Sequence, residues 1–222
     1  MLFSSLDRAL IAKAIGKAES TTLGEIIVIV STRPHRYIAT AFSLAALAAL
    51  ALPVIALLTG WSPAAFWPGW TSPDPADQIR QNLDLLILAQ ALLFALMLAV
   101  GLYTPLARSL TPQGLKRDRV HADALIQFKA RGIDATMGRT GVLLYIDEPD
   151  HIAEIIADTG IYAKVPPDHW ADTIDALIAG IRAGQPATGL CNAISLAGAV
   201  LSEHFPPAAQ NPNELPNHLI EI

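Results

Sequence analysis

The sequence contains a single cysteine, Cys191. One cysteine allows neither an internal disulfide nor a multi-cysteine metal site, and its expected place is a small buried position in a helix. Arg- or Lys-rich runs are missing, and a net charge of −5 gives no general attraction for nucleic acid. There is no phosphate-cradling glycine loop, no nucleophile elbow and no zinc-protease helix. His35, His151, His169, His204 and His218 are scattered without metal-ligand spacing, and His121 and Asp123, two apart, do not share a helix face. No internal repeat occurs. A cleavable signal pattern is missing too, because Asp7, Glu19 and Glu25 precede the first long apolar run.

Charge is also absent from two long stretches. Tyr37–Thr59 and Leu85–Ala107 each run 23 residues without a charged side chain, and Gln90 is the only strongly polar residue of the second. At a helical rise of about 1.5 Å per residue each reaches roughly 34 Å, enough to cross a hydrocarbon core of about 30 Å. The spacing predicts a transmembrane hairpin over 37–106, with an external connector over about 61–82 and the lipid bilayer as its partner. The first span then targets the protein and stays in it. With no Asp, Glu, Lys, Arg or His in either run, transport by the hairpin alone is not expected. Pro53 and Gly101 are the positions for a kink or a close helix contact.

Orientation follows from the cationic residues beside the spans. Arg33 and Arg36 precede the first; Arg108, Lys116, Arg117 and Arg119 follow the second; the connector holds Arg80 against Asp74 and Asp77. Both termini and the remaining residues are therefore expected on the cytoplasmic side, with a bacterial inner membrane as the natural setting. Trp61, Trp67 and Trp70 suit an interfacial aromatic belt.

Outside the hairpin, residues 1–36 and 107–222 are long enough to form one discontinuous domain. A first amphipathic helix over 5–20 turns Leu10, Ala14, Ile15 and Ala18 inward, capped by Ser4 or Ser5. Glu25–Ser31, β-branched and apolar on both faces, reads as a central strand. Thr111-Pro112 starts a helix reaching Arg131, with Val120, Ala124, Leu125 and Phe128 facing the core. Gly141–Ile146 is a second buried strand. Asp147–Asp150 is a turn, and His151–Asp158 is a third strand hairpin-paired with the second. Asp168 caps a helix striped by Trp170, Ile174, Leu177, Ile178 and Ile181. A last helix spans about 190–204, followed by a proline- and asparagine-rich tail. The expected fold class is α/β, a three-layer α/β/α sandwich on a short mixed sheet, interrupted by the transmembrane hairpin.

Thr22-Leu-Gly-Glu-Ile-Ile-Val, Arg139-Thr-Gly-Val-Leu-Leu-Tyr-Ile, Ile155-Ile-Ala-Asp-Thr-Gly-Ile and Glu203-His-Phe-Pro with Asn213-Glu-Leu-Pro-Asn resemble bacterial membrane proteins with a TPM domain, shared with a thylakoid-lumen acid-phosphatase-like protein. The resemblance covers the chain outside the hairpin. It implies a three-layer α/β/α fold, and phosphatase activity, divalent-cation binding or a role in assembling or repairing membrane complexes. Many members place an acidic residue and Asn before Gly-Val-Leu, where this chain has Arg139 and Thr140. Gly160 is kept, but the acidic residue common a few positions later is missing. Both departures weaken the transfer of a metal site.

Topology picks out a place for chemistry. If the first two strands run parallel across the hairpin, Glu25 and Thr140 start at one sheet edge. The third strand returns Asp158 to it, and the loop 133–140 and Asp168 lie nearby. Glu25, Asp134, Arg139, Thr140, Asp158 and Asp168 thus converge in expectation. Carboxylates of Glu25, Asp158 and Asp168 suit Ca²⁺ or Mg²⁺, which take oxygen ligands; Arg139 and Thr140 would hold a phosphate. The same acids equally suit turn capping or pairing with Arg139 or Arg182. Asp172 and Asp175 belong to a solvated helix face. Two functions follow: a membrane-anchored binding or assembly module with a membrane-protein partner, and, as the alternative, a divalent-metal-assisted phosphatase at the membrane surface.

Overall fold

A computed structural model describes residues 3–62, 73–207 and 213–222. Trp67 and Trp70 of the expected aromatic belt, and residues 63–72 of the expected connector, lie outside the described residues. The chain divides into two compact units, Met1–Pro34 with Gln113–Ile222, and His35–Pro112. The first unit takes up the chain again at Gln113.

In the first unit, α1 (Ser5–Glu19) starts with a capping box in which the Ser4 hydroxyl accepts from Asp7 N–H and the Asp7 carboxylate accepts from Ser4 N–H. Its buried face is Ile11, Ile15 and Ala18. Leu10, expected inside, is half exposed, because the face that meets the sheet is turned by one position. β1 (Glu25–Ser31) and β2 (Gly141–Asp147) are buried along their whole length and run parallel in register, Glu25 beside Gly141 and Ser31 beside Asp147. β3 (Ile152–Ala157) folds back antiparallel on β2. The sheet order is β3-β2-β1-β4, with the parallel edge strand β4 (Leu219–Glu221) pairing Leu219 to Val28. β4 lies in the proline- and asparagine-rich tail.

Alternation sorts the strands into two faces. Ile26, Val28, Val30, Val142, Leu144, Ile146, Ala153 and Ala157 join α1, α7 (Ala171–Arg182) and α8 (Pro186–His204) in one core. Ile27, Ile29, Leu143, Tyr145, Ile152 and Ile156 meet Val120, Ala124 and Phe128 of α5 (Gln113–Ala130) in the other. The result is the expected α/β/α layering on a mixed sheet. Leu125 is exposed; Lys116 takes a buried place on α5 instead. Asp168 lies in a 3₁₀ turn, Pro167–Trp170, and Trp170 rather than Asp168 precedes α7. α8 begins four residues before the expected start, with proline at its first position. A short helix α6 (Thr159–Tyr162) links β3 to that turn.

The second unit is a helical hairpin, α2 (Ile38–Thr59) and α3 (Pro75–Tyr103), followed by α4 (Leu106–Leu110). α3 begins ten residues before the uncharged run. The Asp74 carboxylate caps it by accepting from Ala76 N–H, and Pro75 occupies N1. The expected connector to residue 82 is therefore partly helical. Both long helices are long and apolar enough to cross a membrane. Leucines and isoleucines such as Leu50, Leu57, Leu58, Ile87 and Leu92 point outward, while small Ala41, Ala45, Ala56 and Gly101 are buried. A Cβ on Gly101 would stand 2.8 Å from that of Ala41, so glycine sets the helix contact. The Gln90 amide is spent on the Ala49 carbonyl at 3.1 Å.

Candidate functional site

Two places in the sheet unit carry the polar side chains that bear on function. The first is the amino edge where β1 and β2 begin. Glu25, Gly141 and Asp158 form one row there: Glu25 N–H donates to Thr140 O at 3.1 Å and Asp158 N–H to Gly141 O at 2.9 Å. Neighbouring strands lie about 4.8 Å apart, so Glu25 and Asp158 start about 10 Å from each other with Gly141 between them. Gly141 has no side chain for a reason. A Cβ there would meet the Ile133 carbonyl oxygen, and Ile133 is fully buried. The backbone and side chain of Ile133 fill the middle of the row.

Glu25, Thr140, Asp158 and Arg139 each have a structural engagement at this edge. The Glu25 carboxylate is buried and accepts from the N–H groups of Glu214 and Leu215 at 3.4 and 3.3 Å. Thr140 is buried as well; its N–H donates to the Thr136 hydroxyl and its own hydroxyl donates to Leu23 O at 2.9 Å. Asp158 caps α6, accepting from Thr159 N–H, and its Oδ1 is 4.0 Å from Arg139 Nη1. The other oxygen of Asp158 is buried with no hydrogen-bond partner. Arg139, with a left-handed φ of 51°, leaves its side chain largely in solvent. Asp134 sits in the 3₁₀ turn Ile133–Ala135, and Asp168 is exposed. Thus Glu25, Thr140, Arg139 and Asp158 come to one edge. Among the described residues, however, no group of three or more His, Cys, Asp or Glu side chains is placed to hold a metal ion. The carboxylates are turned to N–H donors and Arg139 rather than to one another.

Two acids missed in the sequence complete this edge. Glu19, at the end of α1, is buried and accepts from Ile26 N–H at 2.9 Å. Burial pushes its carboxyl up to about 7, and the Glu25 charge adds to the rise. Glu25 is also raised, first by burial, with Glu214 contributing. Glu214 in turn accepts from Met137 N–H at 3.0 Å, tying the tail to the loop before β2. These partners lie far apart in sequence, and no local spacing signals them.

The second place is a groove of about 780 Å³ beside β3, lined by Gln113 and Arg117 of α5, residues 150–154, and Ile174, Ile178, Ile181 and Arg182 of α7. Among the described residues, β3 is an edge strand of the sheet, paired only to β2. At its start the Asp147 carboxylate accepts from Asp150 N–H at 2.8 Å, and Lys116 Nζ stands 3.6 Å from buried Asp150 Oδ1. His121 Nδ1 is 3.3 Å from Glu154 Oε2. Arg117 and Arg182 are exposed. Arg182 was weighed in the sequence only as a partner for strand-end acids. The groove brings together three segments widely separated in the chain.

No family model matches the chain, and no curated protein matches it in sequence. Among solved structures it is similar to the BA42 protein from the psychrophilic bacterium Bizionia argentinensis, solved by NMR. The TM-score is 0.58 at 20% identity, over 99% of this chain and 95% of that one. At that identity the likeness establishes a shared fold and carries no activity with it.

Proposed function

We propose that the chain is a membrane-anchored binding or assembly module of the TPM-domain kind, held in a bacterial inner membrane by α2 and α3 with its sheet unit on the cytoplasmic side. The observation that carries this reading is the groove along β3: it is roomy, open to solvent and bordered by an unpaired strand edge, the features of a recognition surface. The parallel pairing of β1 with β2 supports the orientation, since strands on either side of the hairpin join one sheet and so need the same side of the bilayer. The excess of arginine and lysine beside the spans supports the same side being cytoplasmic.

The phosphatase alternative asks Glu25 and Asp158 to give up their N–H donors and act together on a cation across Ile133. The binding reading makes a different forecast. Purified protein with Mg²⁺ or Ca²⁺ should hydrolyse a generic phosphomonoester no faster than its Glu25→Ala and Asp158→Ala variants, while both variants lose stability. Hydrolysis abolished by either substitution would favour the enzyme. Affinity capture from detergent-solubilised native membranes should return a partner in stoichiometric amount, and repeated recovery of this protein alone would contradict the binding reading.

A further inference from the structure

We propose that the groove takes an extended polypeptide segment of alternating apolar and acidic residues, added to β3 as a fifth strand. This deepens the binding reading above and rests on it. The backbone comes first. Asp158 N–H donates to Gly141 O, which fixes the phase of the antiparallel ladder. Residues 152, 154 and 156 then exchange their hydrogen bonds with β2, and the N–H and C=O groups of Ala153 and Ile155 point away from the sheet. An open edge of this kind is a template for strand addition.

Side chains then set the occupant. A strand lying beside β3 would turn alternate residues to the two sides of the sheet. On one side it meets Ile174, Ile178 and Ile181 of α7, which pack on the same core as Ala153 and Ile155. On the other it meets Gln113 and Arg117 of α5, while Arg182 closes the isoleucine side at the end of α7. The acids of the lining already have nitrogen neighbours: Asp150 has the Lys116 ammonium and Glu154 has the His121 ring. Arg117 and Arg182 are the exposed cations there, and their planar forks match carboxylates. Apolar residues at i and i+2 facing the isoleucines, with Asp or Glu at i+1 and i+3 on the Arg117 side and an acid at the strand end within reach of Arg182, fit this lining. A uniformly polar segment would leave the isoleucines uncovered.

The test uses the full chain in detergent micelles and fluorescein-labelled peptides followed by anisotropy. The probe is an alternating valine and glutamate peptide; the controls replace glutamate by lysine, gather the valines in one block, or N-methylate alternate amides. The alternating acidic peptide should bind, with Arg117→Glu and Arg182→Glu each weakening it about tenfold. The lysine, blocked and N-methylated peptides should bind far less. Equal binding of the lysine or N-methylated peptide would overturn the proposal, as would binding indifferent to both arginine variants. Hydrogen exchange at β1 and β2 amides shows that each variant remains folded. If the peptide fails while membrane capture still returns a stoichiometric partner, the strand-addition proposal falls and the binding reading stands. If capture also fails, both fall.

Discussion

At the scale of single residues, burial decides what the acids do. Glu19 and Glu25 are raised carboxyls beneath the tail, and the folded state therefore holds protons that the unfolded chain releases. A raised carboxyl stabilises the fold below its unfolded value near 4.5, and that contribution is lost as pH rises through about 7. Stability of the sheet unit should therefore fall between pH 5 and pH 8. Glu19→Gln keeps an oxygen for Ile26 N–H without a charge to desolvate. It should flatten the profile and gain on the order of 1–2 kcal/mol at pH 8, allowing for partial solvent screening. Hydrogen exchange of the β1 amides across that pH range measures it; an unchanged slope in the variant would count against buried Glu19 as the source. The convergence of Glu25, Thr140 and Asp158 was legible from strand order alone. What separates the two carboxylates was not, because Ile133 over Gly141 is a packing fact with no signature in charge or spacing.

At the scale of elements, legibility tracked how much each segment owes to its own pattern. β1 and β2 announce themselves by unbroken apolar runs, and their ends were readable to within a residue. α1 was readable as a helix, but its inward face was set by the partner sheet, which took Ile11 and left Leu10 outside. β4 is three residues following a Pro-Asn segment, and it becomes a strand only by pairing with Val28 and Val30. Its place is held by an ion pair too, Arg8 Nη2 to Glu221 Oε1 at 2.8 Å, from ends of the chain no window compares. In the hairpin, the small-residue contact carries the packing. Gly101→Val should force α3 away from Ala41 and cost on the order of 1–3 kcal/mol of helix association. Cross-linking yield between cysteines placed on facing turns of α2 and α3 reads this loss, and an unchanged yield would show that the Gly101–Ala41 contact does not set the hairpin.

At the scale of the whole molecule, the fold is a sheet whose first strand and later strands lie on either side of a pair of apolar helices. Wherever two spans interrupt such a sheet, the chain must leave and return on one side of the bilayer. The groove was invisible in the sequence for the same reason the domain is discontinuous. Its walls come from residues 113–117, 150–154 and 174–182, and only the completed sheet sets them side by side. Charge patterning around the spans, by contrast, was readable without any fold.

The pairing of the two flanks is tested most directly at the end of β1, where Glu148 N–H donates to Ser31 O at 3.0 Å. In a Cys191→Ala background, Thr32→Cys and Glu148→Cys are treated in native membranes with a short bis-maleimide and with a membrane-impermeant thiol reagent. The two positions should cross-link in high yield and be labelled from the same face, the cytoplasmic one. Labelling from opposite faces, or no cross-link with both thiols accessible, would contradict a single sheet built across the hairpin.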